Sequence, residues 1–311
     1  MSRENKIIKA SWVAILGNSL LALLKIVLGI VSGSYAVVAD GIDSSTDILT
    51  SLITLITARI ISRPPNIKYP YGYEKADTVA TKALSFVIFF AGAQLAISTI
   101  EKMITGETSE MPSVIAIYVT LFSVVGKLLL SLYLFRAGKK CNSSMLTANA
   151  KNMRNDILIS LSVLAGLLFT FVLKLPLLDK IVALVVSALI ILEAFKIFMQ
   201  SNTELMDGIP DPELYCELFD AVKNVEGASN PHRVRARKLG AYLMINMDIE
   251  VDPNLSVKIS HDIAKQVENS IKSRIPNVYD VMVHVEPKGN LENDEKFGVR
   301  ESDIENLNLQ K

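Results

Sequence analysis

Six apolar runs, each about 20 residues or longer, fill the first 200 residues and leave few architectures open. A helix needs about 20 residues to cross a hydrocarbon core of about 30 Å. Backbone in lipid must satisfy its own hydrogen bonds, so runs of this length are expected to be helices. The spans are placed at 9–31, 35–61, 78–103, 112–135, 146–173 and 178–200. The opening Met-Ser-Arg-Glu-Asn-Lys enters the first run without a small-residue cleavage site, which reads as a membrane helix and not as a removed leader. Lys6, Lys9, Arg59, Arg63, Lys68, Lys75, Arg136, Lys139 and Lys140 mark one side of the bilayer, while the gaps after the first and third spans carry no Lys or Arg. Cations mark the cytoplasmic side, so both termini are expected there, in a prokaryotic inner membrane. Lys174 and Lys180, in the gap after the fifth span, are an exception.

Two of the spans are too polar for lipid alone. The second contains Ala39-Asp40-Gly41-Ile42-Asp43-Ser44-Ser45-Thr46-Asp47, and the fifth contains Asn149-Ala150-Lys151-Asn152-Met153-Arg154-Asn155-Asp156. Asp43 with Asp47, and Asn152 with Asp156, stand four residues apart and therefore share a helix face. A carboxylate at membrane depth costs about 2.5–3.5 kcal/mol even on the mild insertion scale. A divalent cation held between the two helices would offset that cost, so the pattern points to a metal carrier. Asp40 is expected to line the entry or to accept a helix–helix hydrogen bond. Lys25 and Lys127 are expected to pair with a buried acid or to snorkel to an interface, and no transport role is assigned to either.

Beyond about residue 200 the composition becomes that of a soluble domain. Helical spacing over 211–225 begins at Asp211, an N-cap before Pro212. Strand alternation follows at 230–238 and 241–251, a second amphipathic helix at 256–274 carries Ile259, Ile263, Val267 and Ile271 on one face, and a third strand covers 278–286. The fold expected is a membrane all-α six-helix bundle followed by a cytoplasmic αββαβ domain, metallochaperone-like in order. The boundaries are 1–207 for the membrane domain, 208–288 for the soluble one and 289–311 for a charged, disordered tail.

Six membrane helices, polar pairs in the second and fifth, and an αββαβ domain together resemble the cation diffusion facilitator family, over nearly the whole chain to about residue 288. The stretches that carry the likeness are Gly33-Ser34-Tyr35-Ala36-Val37-Val38-Ala39-Asp40-Gly41-Ile42-Asp43, Pro70-Tyr71-Gly72 through Lys75, and Asp248-Ile249-Glu250-Val251-Asp252-Pro253. The resemblance implies a homodimer that exchanges cytoplasmic divalent metal for protons. It places the transport ligands at Asp43, Asp47, Asn152 and Asp156, and soluble-domain ligands at His232, Asp248, His261, His284 and Glu286. There, metal is implied to act as regulator by crosslinking two soluble domains. Lys75 and Asp207 match a charge pair that in the family ties the membrane domain to the soluble one at the dimer interface. The loop after the second helix departs from the pattern: Asn66, Tyr69 and Tyr73 replace the ligands of a further site, which is expected to be absent.

Three carboxylates and an amide, with no histidine, form an all-oxygen set that suits manganese(II), leaving iron(II), cobalt(II) and zinc open; nitrogen and sulfur ligands would have favoured zinc. Clustered carboxylates that repel one another can exchange metal for protons without a histidine. A formal charge of zero argues against a nucleic-acid partner. Cys141 and Cys216 read as free thiols of a reducing compartment. No nucleophile–base constellation or phosphate loop points to an enzyme, and no organic cofactor is implied. Two other readings stay open: a carrier for organic or alkali cations, and a membrane metal sensor that moves nothing.

Overall fold

The structure, a computed structural model, describes residues 3–105, 111–141, 144–209, 211–290 and 297–308. Six helices carry the apolar runs: α1 Arg3–Ser32, α2 Tyr35–Ile61, α3 Ala76–Ile104, α4 Ile115–Cys141, α5 Ser144–Leu173 and α6 Leu177–Leu205. Each holds a stretch long and apolar enough to cross a membrane. At 1.5 Å per residue, even the 27-residue α2 is about 40 Å long. Glu107 and Glu110, in the gap after the third span, lie outside the described residues, as does the side chain of Cys141; Cys216 is a free thiol.

The chain divides into two compact units, Met1–Arg59 with Ala80–Phe198, and Ile60–Val79 with Met199–Lys311. The first is the helix bundle. Ala36, Val37, Leu84, Ile88, Val163, Leu167, Val186 and Ile190 form one core, and Ala10, Ala14, Leu134, Leu146, Ala150 and Met153 another. Small residues bring the helices close, as expected where lipid supplies no hydrophobic drive. A Cβ on Gly41 would stand 3.0 Å from the backbone nitrogen of Ile26, so α1 and α2 approach nearly to backbone contact there. Asp179, in the first turn of α6, caps α2: its carboxylate accepts Ser34 Oγ at 2.6 Å and the Tyr35 N–H at 2.7 Å. Lys180 Nζ donates to the Lys102 carbonyl at 2.8 Å, near the C-terminal end of α3. One of the two anomalous cations, Lys180, is thus a helix cap.

The second unit contains the soluble elements: α7 Glu213–Lys223, β1 Ser229–Leu239, β2 Tyr242–Val251, α8 Val257–Arg274, β3 Val278–Pro287 and α9 Glu301–Asn308. The sheet order is β1-β2-β3, with β1 antiparallel and β3 parallel to β2. A parallel return needs a crossover, which α8 supplies. Leu218, Phe219, Val234, Ile245, Met247, Ile249, Val267 and Ile271 fill the core between sheet and helices. Asp211 Oδ1 accepts the Glu213 N–H at 3.0 Å, and Ser256 caps α8 through the Ile259 N–H.

The tail corrects the expectation of disorder from 289 onward. Val299 exchanges both backbone hydrogen bonds with Val234, at 2.9 and 3.1 Å, and α9 buries Ile304 in the domain core. Gly298 makes this approach possible: at φ +106° a Cβ there would lie 2.6 Å from the backbone of Arg233. Two apolar residues suffice because each meets a preformed surface. Residues 291–296 and 309–311 of the tail lie outside the described residues.

Candidate metal centres

The membrane centre is built where α2, α4 and α5 meet. Asp43 and Asp47 sit on one face of α2, both half-buried, and Asp156 on α5 is similarly placed. The side chains of Asp47 and Asp156 lie within hydrogen-bonding reach of one another, and Asp43 is close enough to Asp156 for their charges to interact. Asn152, one turn before Asp156, has an exposed side chain and is not gathered into the cluster. Lys127 on α4 reaches it instead, with Nζ 3.3 Å from Asp156 Oδ2. The alternatives for Lys127 therefore resolve in favour of pairing.

Lys25 pairs as well, with a different acid. Its Nζ lies 2.7 Å from Asp40 Oδ2, 2.9 Å from Ser160 Oγ and 3.1 Å from Ser44 Oγ, with Lys25 and Asp40 both fully buried. Ser160 Oγ in turn donates to Asp40 Oδ1 at 2.8 Å. Two hydroxyls accept from the ammonium and the Asp40 carboxylate neutralises it, and the network ties α1, α2 and α5 together. Asp40 is thus committed to a structural pair one turn from Asp43. Sequence reasoning considered a helix–helix bond for Asp40 but had no signal for its partner, since Lys25 is 15 residues away on another helix.

The soluble centre lies on the sheet. Register places His232 opposite Asp248 and Glu250 opposite Glu286. His232, Asp248 and Glu286 are buried, with one ligand atom of each within 4.8 Å of the others. His232 Nδ1 stands 2.7 Å from the Asn230 carbonyl, which can only accept, so Nδ1 carries a proton. Nε2 faces Glu286 Oε2 at 3.4 Å. One imidazole nitrogen and two carboxylates, buried together, form a donor set that fits a metal. Asp248 Oδ2 is buried without a hydrogen bond, although Arg233 Nη1 approaches to 3.0 Å.

The remaining implied ligands are not in this group. His284 is 65% exposed, with Nε2 3.8 Å from Glu286 Oε1 at the edge of the cluster, and His261 is exposed on α8. Glu250 is a buried neighbour that sequence reasoning missed, although its position two residues after Asp248 places it on the same strand face. The Asn230 amide, donating at 2.6 Å, holds the Glu250 carboxyl below the usual carboxylate range against the cost of desolvation, and the Gly289 N–H adds a bond at 3.1 Å.

In the loop after α2, Asn66 Nδ2 donates to the Tyr73 hydroxyl at 2.7 Å and the rings of Tyr69 and Tyr73 pack together, so these three residues hold the turn. Lys75 Nζ meets Asp207 Oδ1 at 2.6 Å, and Thr78 donates to Glu204 at 2.9 Å. These contacts tie residues 75–78 to the end of α6, and Arg237 on β1 lies over the Tyr71 ring, so residues 60–79 group with the unit that follows Phe198.

Six membrane-length helices with an acidic cluster in their interior define an integral membrane protein of the cation-carrier class. Residues 11–206 match the family described as cation efflux transmembrane domain, and residues 210–288 match the cation efflux protein cytoplasmic domain. The chain belongs to the cation diffusion facilitator family, a family of divalent-metal efflux transporters. It is 36% identical over 281 residues to the uncharacterized transporter YdbO of Bacillus subtilis, covering 90% of this chain and 95% of that protein. It is 30% identical over 291 residues to the manganese efflux system protein MneP of the same species, covering 92% and 97%. A solved structure, the metal-bound C-terminal domain of the CzcD transporter from Thermotoga maritima, is 39% identical with a TM-score of 0.25, covering 26% of this chain and 93% of that one.

Proposed function

We propose that the protein exports manganese(II) from a prokaryotic cytoplasm in exchange for protons. In this reading it works as a homodimer in the inner membrane with both termini cytoplasmic. The observation that carries the reading is the meeting of Asp43, Asp47 and Asp156 inside the helix bundle. Three carboxylates form a hard, all-oxygen donor set, to which Asn152 on the same face of α5 as Asp156 adds an amide once it turns inward. Likeness to a protein named for manganese efflux supports the choice of cargo. Metal and protons compete for the same carboxylate oxygens, so loading the ion expels protons and protonation releases it.

The test is metal uptake into proteoliposomes under an imposed proton gradient, comparing manganese, iron, cobalt and zinc. Manganese-led flux that depends on the gradient is expected. Zinc-led flux would overturn the cargo, flux indifferent to the gradient would overturn the coupling, and no flux from folded protein would leave a sensor. Asn152→His adds a nitrogen ligand and is expected to raise zinc over manganese transport by about tenfold. An unchanged ratio in that variant would remove Asn152 from the ligand set.

His232, Asp248 and Glu286 are proposed to hold a regulatory ion of the same class. The exposed His261 and His284 would complete coordination when two soluble domains close on each other. Metal should then raise the melting temperature of the full-length protein, and His232→Ala should remove most of that increment at unchanged metal-free stability. A full increment in the variant would place the regulatory ion elsewhere.

A further inference from the structure

Lys127 is a buried charge at the membrane centre that the transport cycle above does not use. Its side chain is 1% exposed, and its Nζ makes no hydrogen bond. The nearest carboxylate oxygen, Asp156 Oδ2, is 3.3 Å away, and its charge also acts on Asp43 and Asp47. Lys25 offers an internal comparison in the same bundle. There, a carboxylate and two hydroxyls at 2.7–3.1 Å hold the ammonium in place. An ammonium at membrane depth costs several kcal/mol unless it is paired and hydrogen-bonded. Lys25 meets both conditions, whereas Lys127 meets only the first, facing the acidic cluster. Lys25 is built as a tie, and Lys127 as a counter-charge on a flexible four-carbon stem that can withdraw.

We propose that Lys127 is a tethered counter-cation of the transport site. Its ammonium neutralises part of the Asp43–Asp47–Asp156 cluster when no metal is bound, and a divalent ion must push it aside to load. This rests on the reading that those carboxylates carry the metal. The consequence is a deliberate weakening of the site. A carrier has to let its ion go, and a positive charge held beside the carboxylates lowers affinity and re-occupies them as the ion leaves. The empty site then keeps a positive charge beside its acidic cluster in the low-dielectric interior.

The experiment is manganese(II) binding to the full-length protein in nanodiscs, using wild type, Lys127→Gln, Lys127→Arg and Asp47→Ala. The component lost in Asp47→Ala reports the membrane site and separates it from the soluble one. Lys127→Gln is expected to tighten that component by about tenfold or more, as removal of one unit charge a few ångströms from the ion implies. Lys127→Arg, which keeps the charge, should stay near wild type. Without metal, Lys127→Gln should melt below wild type, because the acidic cluster has lost its counter-ion. If that variant can be recovered only with manganese present, release into chelator replaces the titration, and at least about tenfold slower release is expected. A folded Lys127→Gln that binds manganese no more tightly than wild type, or releases it no more slowly, overturns the inference while Asp47-dependent binding leaves the transport site standing. No Asp47-dependent component in wild type overturns both.

Discussion

Asp47→Ala is expected to abolish metal flux in proteoliposomes and to leave the protein folded. Asp47 supplies oxygens on α2 that meet Asp156 on α5, so it stands on the seam between the two helices proposed to hold the ion. Residues that merely support a metal ligand cost about 10–100-fold when mutated, which sets about 100-fold as the floor for losing a direct one. Stability should move little or upward, since the substitution removes one of three mutually repelling carboxylates. The pairing of lost flux with an unchanged or raised melting temperature is what separates a ligand from a packing residue. Flux within a few-fold of wild type would move the ion path away from the α2–α5 seam. Asp156→Ala should lose flux equally, but it also strands the Lys127 ammonium without its nearest partner, so it should lower the melting temperature where Asp47→Ala does not.

The second large effect is on stability. Lys25→Met should destabilise the bundle by about 3–5 kcal/mol, the range measured when one partner of a buried ion pair is removed. The variant leaves Asp40 buried and charged with only the Ser160 hydroxyl donating to its side chain. It also removes two further bonds, to Ser44 and Ser160, that join α1 to α2 and α5. Combining it with Asp40→Asn removes the stranded charge and should recover most of the loss. The comparison is read as melting temperature in detergent. A double variant as unstable as Lys25→Met alone would mean that the side-chain volume of Lys25, and not its charge, holds the helices. Flux through the folded double variant should persist, because Asp40 is bound to Lys25 and not aimed at the ion.

Much of this architecture was legible in the chain because its signals are local. Six runs of sufficient length dictate six helices, and the αββαβ order follows from periods of 3.6 and 2 that each segment carries within itself. The four-residue spacing of Asp43 with Asp47, and of Asn152 with Asp156, puts each pair on one helix face without reference to any other helix. The start of α7 is local too, although Pro212, one residue after the expected Asp211, takes the cap position. Even the missed Glu250 was readable, two residues beyond Asp248 on one strand.

What the tertiary structure decided involves residues far apart in the chain. Lys25 and Lys127 look alike in sequence, yet packing gives one a carboxylate and two hydroxyls and the other a single long approach to Asp156. Asn152 shares a face of α5 with Asp156 but stands one turn away along the helix, where it is exposed, a difference that spacing alone cannot show. Sheet register collects His232, Asp248 and Glu286 in a buried group while His261 and His284 stay outside it. Val299 and Ile304 find surfaces made by residues 60–90 positions earlier, and residues 60–79 join the second unit through Lys75, Thr78 and Tyr71. Hydropathy and periodicity report which face of an element is apolar. Which charge meets which depends on how those faces are rotated and stacked, and that is settled only when the helices and strands pack.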